Sequence, residues 1–175
     1  RLSAAISGFS GDAKVCGVAL SDGGEVAADL VLIGIGVVPN TELASHAGLT
    51  VDNGIVVDDR CRPSDPDVFA VGDCTQHTND ILGYRVRLES VHNALEQAKT
   101  AASNICGEEL RYAQVPWFWS DQYDIKLQIA GLTQGYDDTI MRGDPDSRSF
   151  SCLYLRSGAL IAVDAVNSPE AFMQS

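Results

Sequence analysis

The run Asp67-Val68-Phe69-Ala70-Val71-Gly72-Asp73 constrains this chain most, because apolar residues ending in a Gly-Asp pair read as a buried strand that delivers one carboxylate to its tip. Open α/β sheets hold their ligands at the carboxyl ends of strands. Glycine there lets a ligand approach the backbone closely, and the aspartate accepts hydrogen bonds from hydroxyls. Asp65-Pro66 sets the turn before the run. A plain strand-to-loop turn is the competing reading, and the residues that follow bear on the choice.

A polar loop containing Asn79, Asp80 and Gly83 leads into Glu89-Ser90-Val91-His92-Asn93-Ala94. From there Ala94, Ala98, Ala101, Ala102 and Ile105 recur at helical spacing, which predicts one small-residue packing face. Ser90 as N-cap, with Asn93 three residues on, and Gly107 as a left-handed terminator bound the helix from Val91 to Cys106. If the loop folds back, the free N–H groups and positive dipole end of this helix face the same region as Asp73. That pairing would accept an anionic or polarisable ring. The competing reading is an ordinary amphipathic core helix.

Upstream, Val15–Leu20 and Glu25–Leu30 flank Ser21-Asp22-Gly23-Gly24, a hairpin signal, and Leu30–Gly34 continues as a buried strand. Gly34-Ile35-Gly36 is not a dinucleotide fingerprint, since Pro39 follows where a third glycine should open a helix. Pro39-Asn40 instead leads to a short helix from Thr41 to Ala47, closed by Gly48. Gly54–Asp58 is a further strand, and the Asp-rich stretch from Asp58 to Asp67, with Arg60 and Arg62, reads as a solvated loop. Beyond Val115-Pro116 the pattern turns to strands: Ile125–Ala130, Thr139–Arg142, Phe150–Leu155 and Ala159–Val163, an expected antiparallel meander. Ser168-Pro169 starts a last helix.

The 12 basic and 24 acidic residues leave a formal charge of −12, which argues against nonspecific binding to nucleic acid or acidic membranes. No apolar run approaches the ~20 residues needed to cross a bilayer. Cys16, Cys61, Cys74, Cys106 and Cys152 form no Cys-x-x-Cys pair and no metal-ligand spacing with the three His, so they read as reduced residues of a cytoplasmic protein. Cys74, beside Asp73, reads as a small packing residue.

Four segments in order, Leu32–Asn40, Asp67–Cys74, Glu89–Ala94 and Pro116-Trp117-Phe118-Trp119-Ser120-Asp121-Gln122, resemble the C-terminal part of FAD-dependent ferredoxin reductases of the putidaredoxin and rhodocoxin reductase type. The resemblance implies α/β architecture from a flavoprotein with two dinucleotide-binding domains, followed by an α+β domain built on an antiparallel sheet. Residues 1–40 would end the NAD domain, 41–113 would form the second half of the FAD domain, and 114–175 a C-terminal interface domain. The opening at Arg1 and the end at Ser175 then suggest a piece of a longer chain, inactive alone.

The activity implied is NAD(P)H:ferredoxin oxidoreduction, with electrons passing from NADH through FAD to a [2Fe–2S] ferredoxin of an oxygenase system. By the same resemblance Gly72 and Asp73 meet the ribityl chain of FAD, Ser90 and Val91 present the helix head to the flavin, and Trp119 packs beside its ring. Trp117 and Phe118 read as core. Lys99, and more weakly Arg87 and Arg85, would meet an acidic ferredoxin. Glu89 reads as structural, and neither His46 nor His92 has a catalytic partner at a recognisable spacing. No residue is assigned proton-transfer catalysis, because the cofactor carries that chemistry. The alternatives are a non-enzymatic module that docks a redox partner, or a flavin disulfide reductase or peroxidase.

Overall fold

Glycine-rich turn chemistry organises the first residues of the computed structural model, which describes residues 1–174. Strand β1 (Ile6–Ser10) pairs antiparallel with β2 (Gly17–Leu20), and β2 with β3 (Glu25–Ala27). The expected hairpin turn closes through Leu20 N–H to Gly24 O (2.8 Å) and Gly23 N–H to Leu20 O (3.1 Å). Strand β1 was not anticipated from the sequence. The expected buried strand at Leu30–Gly34 is absent: Leu30, Leu32, Ile33 and Ile35 are exposed and join no ladder. A run apolar on both faces becomes a buried strand only where neighbours pair with it, and none of the described strands does.

The residues to Val38 form one compact unit, and those from Pro39 form a second. The second begins with α1 (Glu42–His46), whose end turns at Gly48 with φ +75°. Strands β4 (Val51–Asp52), β5 (Gly54–Val57), β6 (Thr75–Asn79) and β7 (Tyr84–Val86) form a mixed sheet in the order β4-β5-β6-β7. The β5–β6 pair is parallel and the others antiparallel. Ala44, Ile55 and Val57 centre its small core, with Leu49, Val51, Ala70 and Cys74 packed around them.

Two expectations fail in this region. Val68–Val71 is not a strand; its Ala70 N–H bonds Cys61 O (3.0 Å), so the segment is held by loop contacts rather than a ladder. The polar stretch after Asp73 is instead the β6–β7 hairpin. Asn79 is buried there because the fold pairs it: its Oδ1 accepts from the N–H groups of Ile81 and Leu82 (3.1 Å each), and its Nδ2 donates to Gln114 O (3.2 Å).

Helix α2 (Val91–Ile105) follows, with Ser90 at its N-cap and Gly107 at φ +89° beyond its end. Its buried face is not the alanine stripe. Asn93, Gln97, Thr100, Ala101 and Asn104 face inward, while Ala98, Ala102 and Ile105 are exposed. Several of the inward polar side chains find partners: Tyr112 Oη donates to Asn93 Oδ1 (2.8 Å), and Asn104 Nδ2 donates to Leu110 O (2.7 Å).

Strands β8 (Trp117–Gln122), β9 (Ile125–Gly131), β10 (Asp138–Asp144), β11 (Ser149–Arg156) and β12 (Ala159–Val166) form a fully antiparallel sheet, and α3 (Pro169–Met173) packs on β9 and β12. The sheet order is β10-β11-β12-β9-β8, so the chain crosses from β9 to an outer strand rather than running as a meander. Pairing β9 with β12 sets Leu127 opposite Val166 and Ala130 opposite Val163, pairs that a sequential order would separate. No helix among the described residues is long and apolar enough to cross a membrane.

Cys61 sits in the loop between β5 and β6 with 1% of its surface exposed, and its Sγ contacts Gln97 O at 3.6 Å. Burial first, then the carboxylates of Asp58 and Asp59, push its thiol from 9.0 up to about 12. Burial first likewise pushes the Tyr112 phenol up to about 12 from 10.0. A group whose pKa is higher in the folded state stabilises fully below its unfolded value, and that stability is lost as pH rises toward the folded one. Stability should therefore fall between about pH 9 and 12. At pH 8, iodoacetamide should modify the exposed Cys16 and Cys106 first and Cys61 last, as read by peptide mass mapping; equal labelling would contradict the placement.

Candidate functional site

Gly72 turns the chain at φ +84°, a conformation only glycine adopts without strain. Its N–H donates to Gln97 Oε1 (2.7 Å), and its carbonyl accepts from the backbone N–H of Thr75 (3.0 Å) and from Thr75 Oγ1 (2.8 Å). A Cβ at this position would lie 3.7 Å from the Ala94 Cβ, so the turn rests against the first turn of α2. The Asp73 side chain is exposed, and no hydrogen bond or ion pair engages its carboxylate among the described residues. It is free to accept from ligand hydroxyls.

At the helix head Ser90 is extended (φ −136°, ψ 147°), and its Oγ accepts from Asn93 N–H at 3.2 Å. That cap leaves the amides of Val91 and His92 without an acceptor among the described residues. Val91 itself is 57% exposed, so its amide can be reached. Open donors at the positive end of a 15-residue helix suit a ligand edge that carries negative charge. Gly72, which precedes Asp73, rests against Ala94 in the turn of α2 that Val91 opens.

Arg87 ties the pieces together. Its Nη1 donates to Asp73 O (3.3 Å) and pairs with Glu89 (2.6 Å), while Nε donates to Asn53 Oδ1 (3.3 Å). With 12% of its side chain exposed, its charge is spent inside the loop cluster, which leaves little for a partner. Lys99 is exposed and paired only with Glu96 on its own helix, and Arg85 is exposed. Cys74 donates weakly to Val71 O (3.6 Å) and packs beside the small core.

The aromatic segment meets the helix head edge-on. The His92 and Trp117 rings lie 5.8 Å apart at 77°, and Trp119 follows at 5.2 Å from Trp117. Trp119 is 39% exposed, one ring removed from α2. Trp117 is half-buried, but Phe118 is exposed and not core as expected, because alternation along β8 turns it to the opposite face. Arg87, Leu88, Glu89 and Ser90 share a cleft of about 290 Å³ with Pro116, Trp117 and Phe118. His46 lies exposed at the end of α1, away from this cluster in the chain. The sequence reading did not single out Asn93 beyond its capping position, nor Gln97 at all; a Gln amid helical alanines carries no signal of burial.

The exposed Asp73 beside a glycine turn and the open head of α2 stand in an α/β unit, here continued by an antiparallel sheet with its own helix. Residues 1–98 match the pyridine nucleotide-disulphide oxidoreductase profile, and residues 117–175 match the one described as reductase C-terminal. The chain belongs to the pyridine nucleotide-disulphide oxidoreductase family.

Putidaredoxin reductase of Pseudomonas putida is 50% identical over 162 residues, 93% of this chain and 38% of that protein. The 5,5'-dehydrodivanillate O-demethylase ferredoxin reductase subunit of a Sphingobium species is 45% identical over 177 residues, 99% of this chain and 43% of its own length. The crystal structure of the covalent putidaredoxin reductase–putidaredoxin complex superposes with a TM-score of 0.95 at 47% identity, covering 99% of this chain and 42% of that one. The chain spans roughly two fifths of the length of these relatives.

Proposed function

We propose that this chain is part of a cytoplasmic FAD-dependent NAD(P)H:ferredoxin oxidoreductase that passes electrons from NADH through FAD to a [2Fe–2S] ferredoxin of an oxygenase system. The observation that carries the reading is the joining of an unpartnered Asp73 carboxylate and the open α2 amides at one glycine turn. A bound flavin supplies the hydride and single-electron chemistry. Asp73 accepts from ribityl hydroxyls beside Gly72, and Ser90 holds the helix start so that the Val91 N–H donates to the pyrimidine edge. Those fixed donors favour negative charge at that edge without a titrating side chain. Trp119, 39% exposed, would supply an aromatic face for the flavin to pack on. Lys99 offers the cation for an acidic partner, with Arg87 serving mainly as the clamp on the Asp73 loop.

The relatives named above are reductases, two of them tied by name to a ferredoxin or putidaredoxin, which favours electron transfer over a non-enzymatic docking module. The test uses the full-length protein. It should be yellow with flavin absorbance, and with NADH it should bleach the visible spectrum of an added [2Fe–2S] ferredoxin. A colourless preparation, or a flavin that NADH reduces without any ferredoxin following, rejects the assignment.

A further inference from the structure

We propose that Gln97 is a positioning residue for the flavin, a buried latch that holds the Gly72–Asp73 turn against the head of α2. The inference rests on the flavin reading above and names a residue that touches no ligand in it. Gln97 is fully buried (0% exposed), two turns into α2, and its one side-chain oxygen gathers three donors. Gly72 N–H donates at 2.7 Å, Thr75 Oγ1 at 3.0 Å and Asn93 Nδ2 at 3.4 Å. Each donor belongs to a different part of the site: the carboxylate-bearing turn, the start of β6, and the first turn of the helix. Asn93 Nδ2 also donates to Leu88 O (3.2 Å), which carries the same network to the residues before the N-cap. The other end of Gln97 meets His77 Nδ1 (3.3 Å), itself buried. The Gly72 N–H can only donate, which places the amide oxygen on its side and turns the amide nitrogen toward His77, whose pKa burial lowers.

The geometry has a direct consequence. Gly72 N–H has no other acceptor, and it directly precedes the ligand-facing carboxylate. Removing the Gln97 oxygen leaves the buried Gly72 N–H short of an acceptor, while Thr75 Oγ1 keeps Gly72 O and Asn93 Nδ2 keeps Leu88 O; the turn is released from the helix, so Asp73 and the Val91 amide no longer keep a fixed spacing.

The test is made on full-length apoprotein titrated with FAD. Gln97→Met keeps the volume and removes the oxygen; it should raise the FAD dissociation constant at least tenfold and abolish hydrogen-exchange protection at the Gly72 amide. Gln97→Glu keeps an oxygen acceptor and should restore both to within about threefold of wild type, a rescue that a loss of bulk stability would not show. If Gln97→Met does not fold, Thr75→Val, which removes one hydroxyl of the same network, should weaken FAD at least threefold. Asp73→Ala separates the two claims. Weakened binding in Asp73→Ala beside unchanged binding in folded Gln97→Met, or in Thr75→Val if that is the variant read, overturns the latch. Wild-type apoprotein that binds no FAD overturns the flavin reading itself and the latch with it; Asp73→Ala that binds FAD as wild type does removes Asp73 from the site and overturns the latch alone.

Discussion

Asp73→Ala in the full-length protein is expected to weaken FAD binding by roughly tenfold to a hundredfold while leaving the thermal midpoint of the apoprotein unchanged. The two halves of this expectation come from one observation. The carboxylate is exposed and has no partner among the described residues, so removing it deprives them of no hydrogen bond. A hydrogen bond from a ligand hydroxyl to an ionised carboxylate is worth about 1.5–3 kcal/mol, and each 1.4 kcal/mol is about a factor of ten in affinity. Fluorescence titration of apoprotein with FAD, beside a thermal melt without it, reads both quantities. Binding within threefold of wild type would remove Asp73 from the site; a lowered apoprotein midpoint would mean that its role is structural.

The second large effect is expected at the end of β9. Gly131 closes β9 at φ +75°, and a Cβ there would sit 2.0 Å from Ile161 O and 2.9 Å from Ala162 Cα. Both atoms belong to the backbone of the sheet, so no side chain can rotate away. The Gly131 N–H also donates to Pro116 O (2.9 Å), just ahead of β8, so displacement of this corner disturbs the strand that carries Trp117 and Trp119. Gly131→Ala should cost at least about 3 kcal/mol, the sum of left-handed strain and overpacking. Gly158→Ala is the matched control: its φ is +78°, but nothing lies within 4 Å of its Cβ position. It should cost only about 1 kcal/mol. Denaturant midpoints of the two variants decide the matter, and equal losses would show that crowding at Gly131 is relieved by movement of β12.

Much of the architecture was legible in short stretches. The Ser21–Gly24 turn, the Ser90 cap and Gly107 end of α2, the Gly48 stop of α1, strand β5 and the Ser168-Pro169 start of α3 all stand where local chemistry puts them. Each depends on a φ preference or a capping side chain within a few residues, which a linear reading can weigh. Of the proposed site, the turn at Gly72 and the helix head at Ser90 and Val91 were legible in the same way, since a turn glycine and a capping serine announce themselves locally.

The failures share a different cause. Val68–Val71 and Leu30–Gly34 have strand composition but find no ladder, while polar Thr75–Asn79 forms one. The segment Trp117–Gln122 pairs as a strand beside β9, and β9 pairs with β12, which no adjacent pattern foretells. The buried face of α2 is polar because His77, Tyr112 and Gly72, distant along the chain, arrive to bond it. By itself, then, the sequence determined where this chain turns, caps and ends its elements, because those preferences act over one or two residues. Only the tertiary structure decided which strands pair and which polar side chains go inside, because a hydrogen bond can justify burial only once its remote partner is in place.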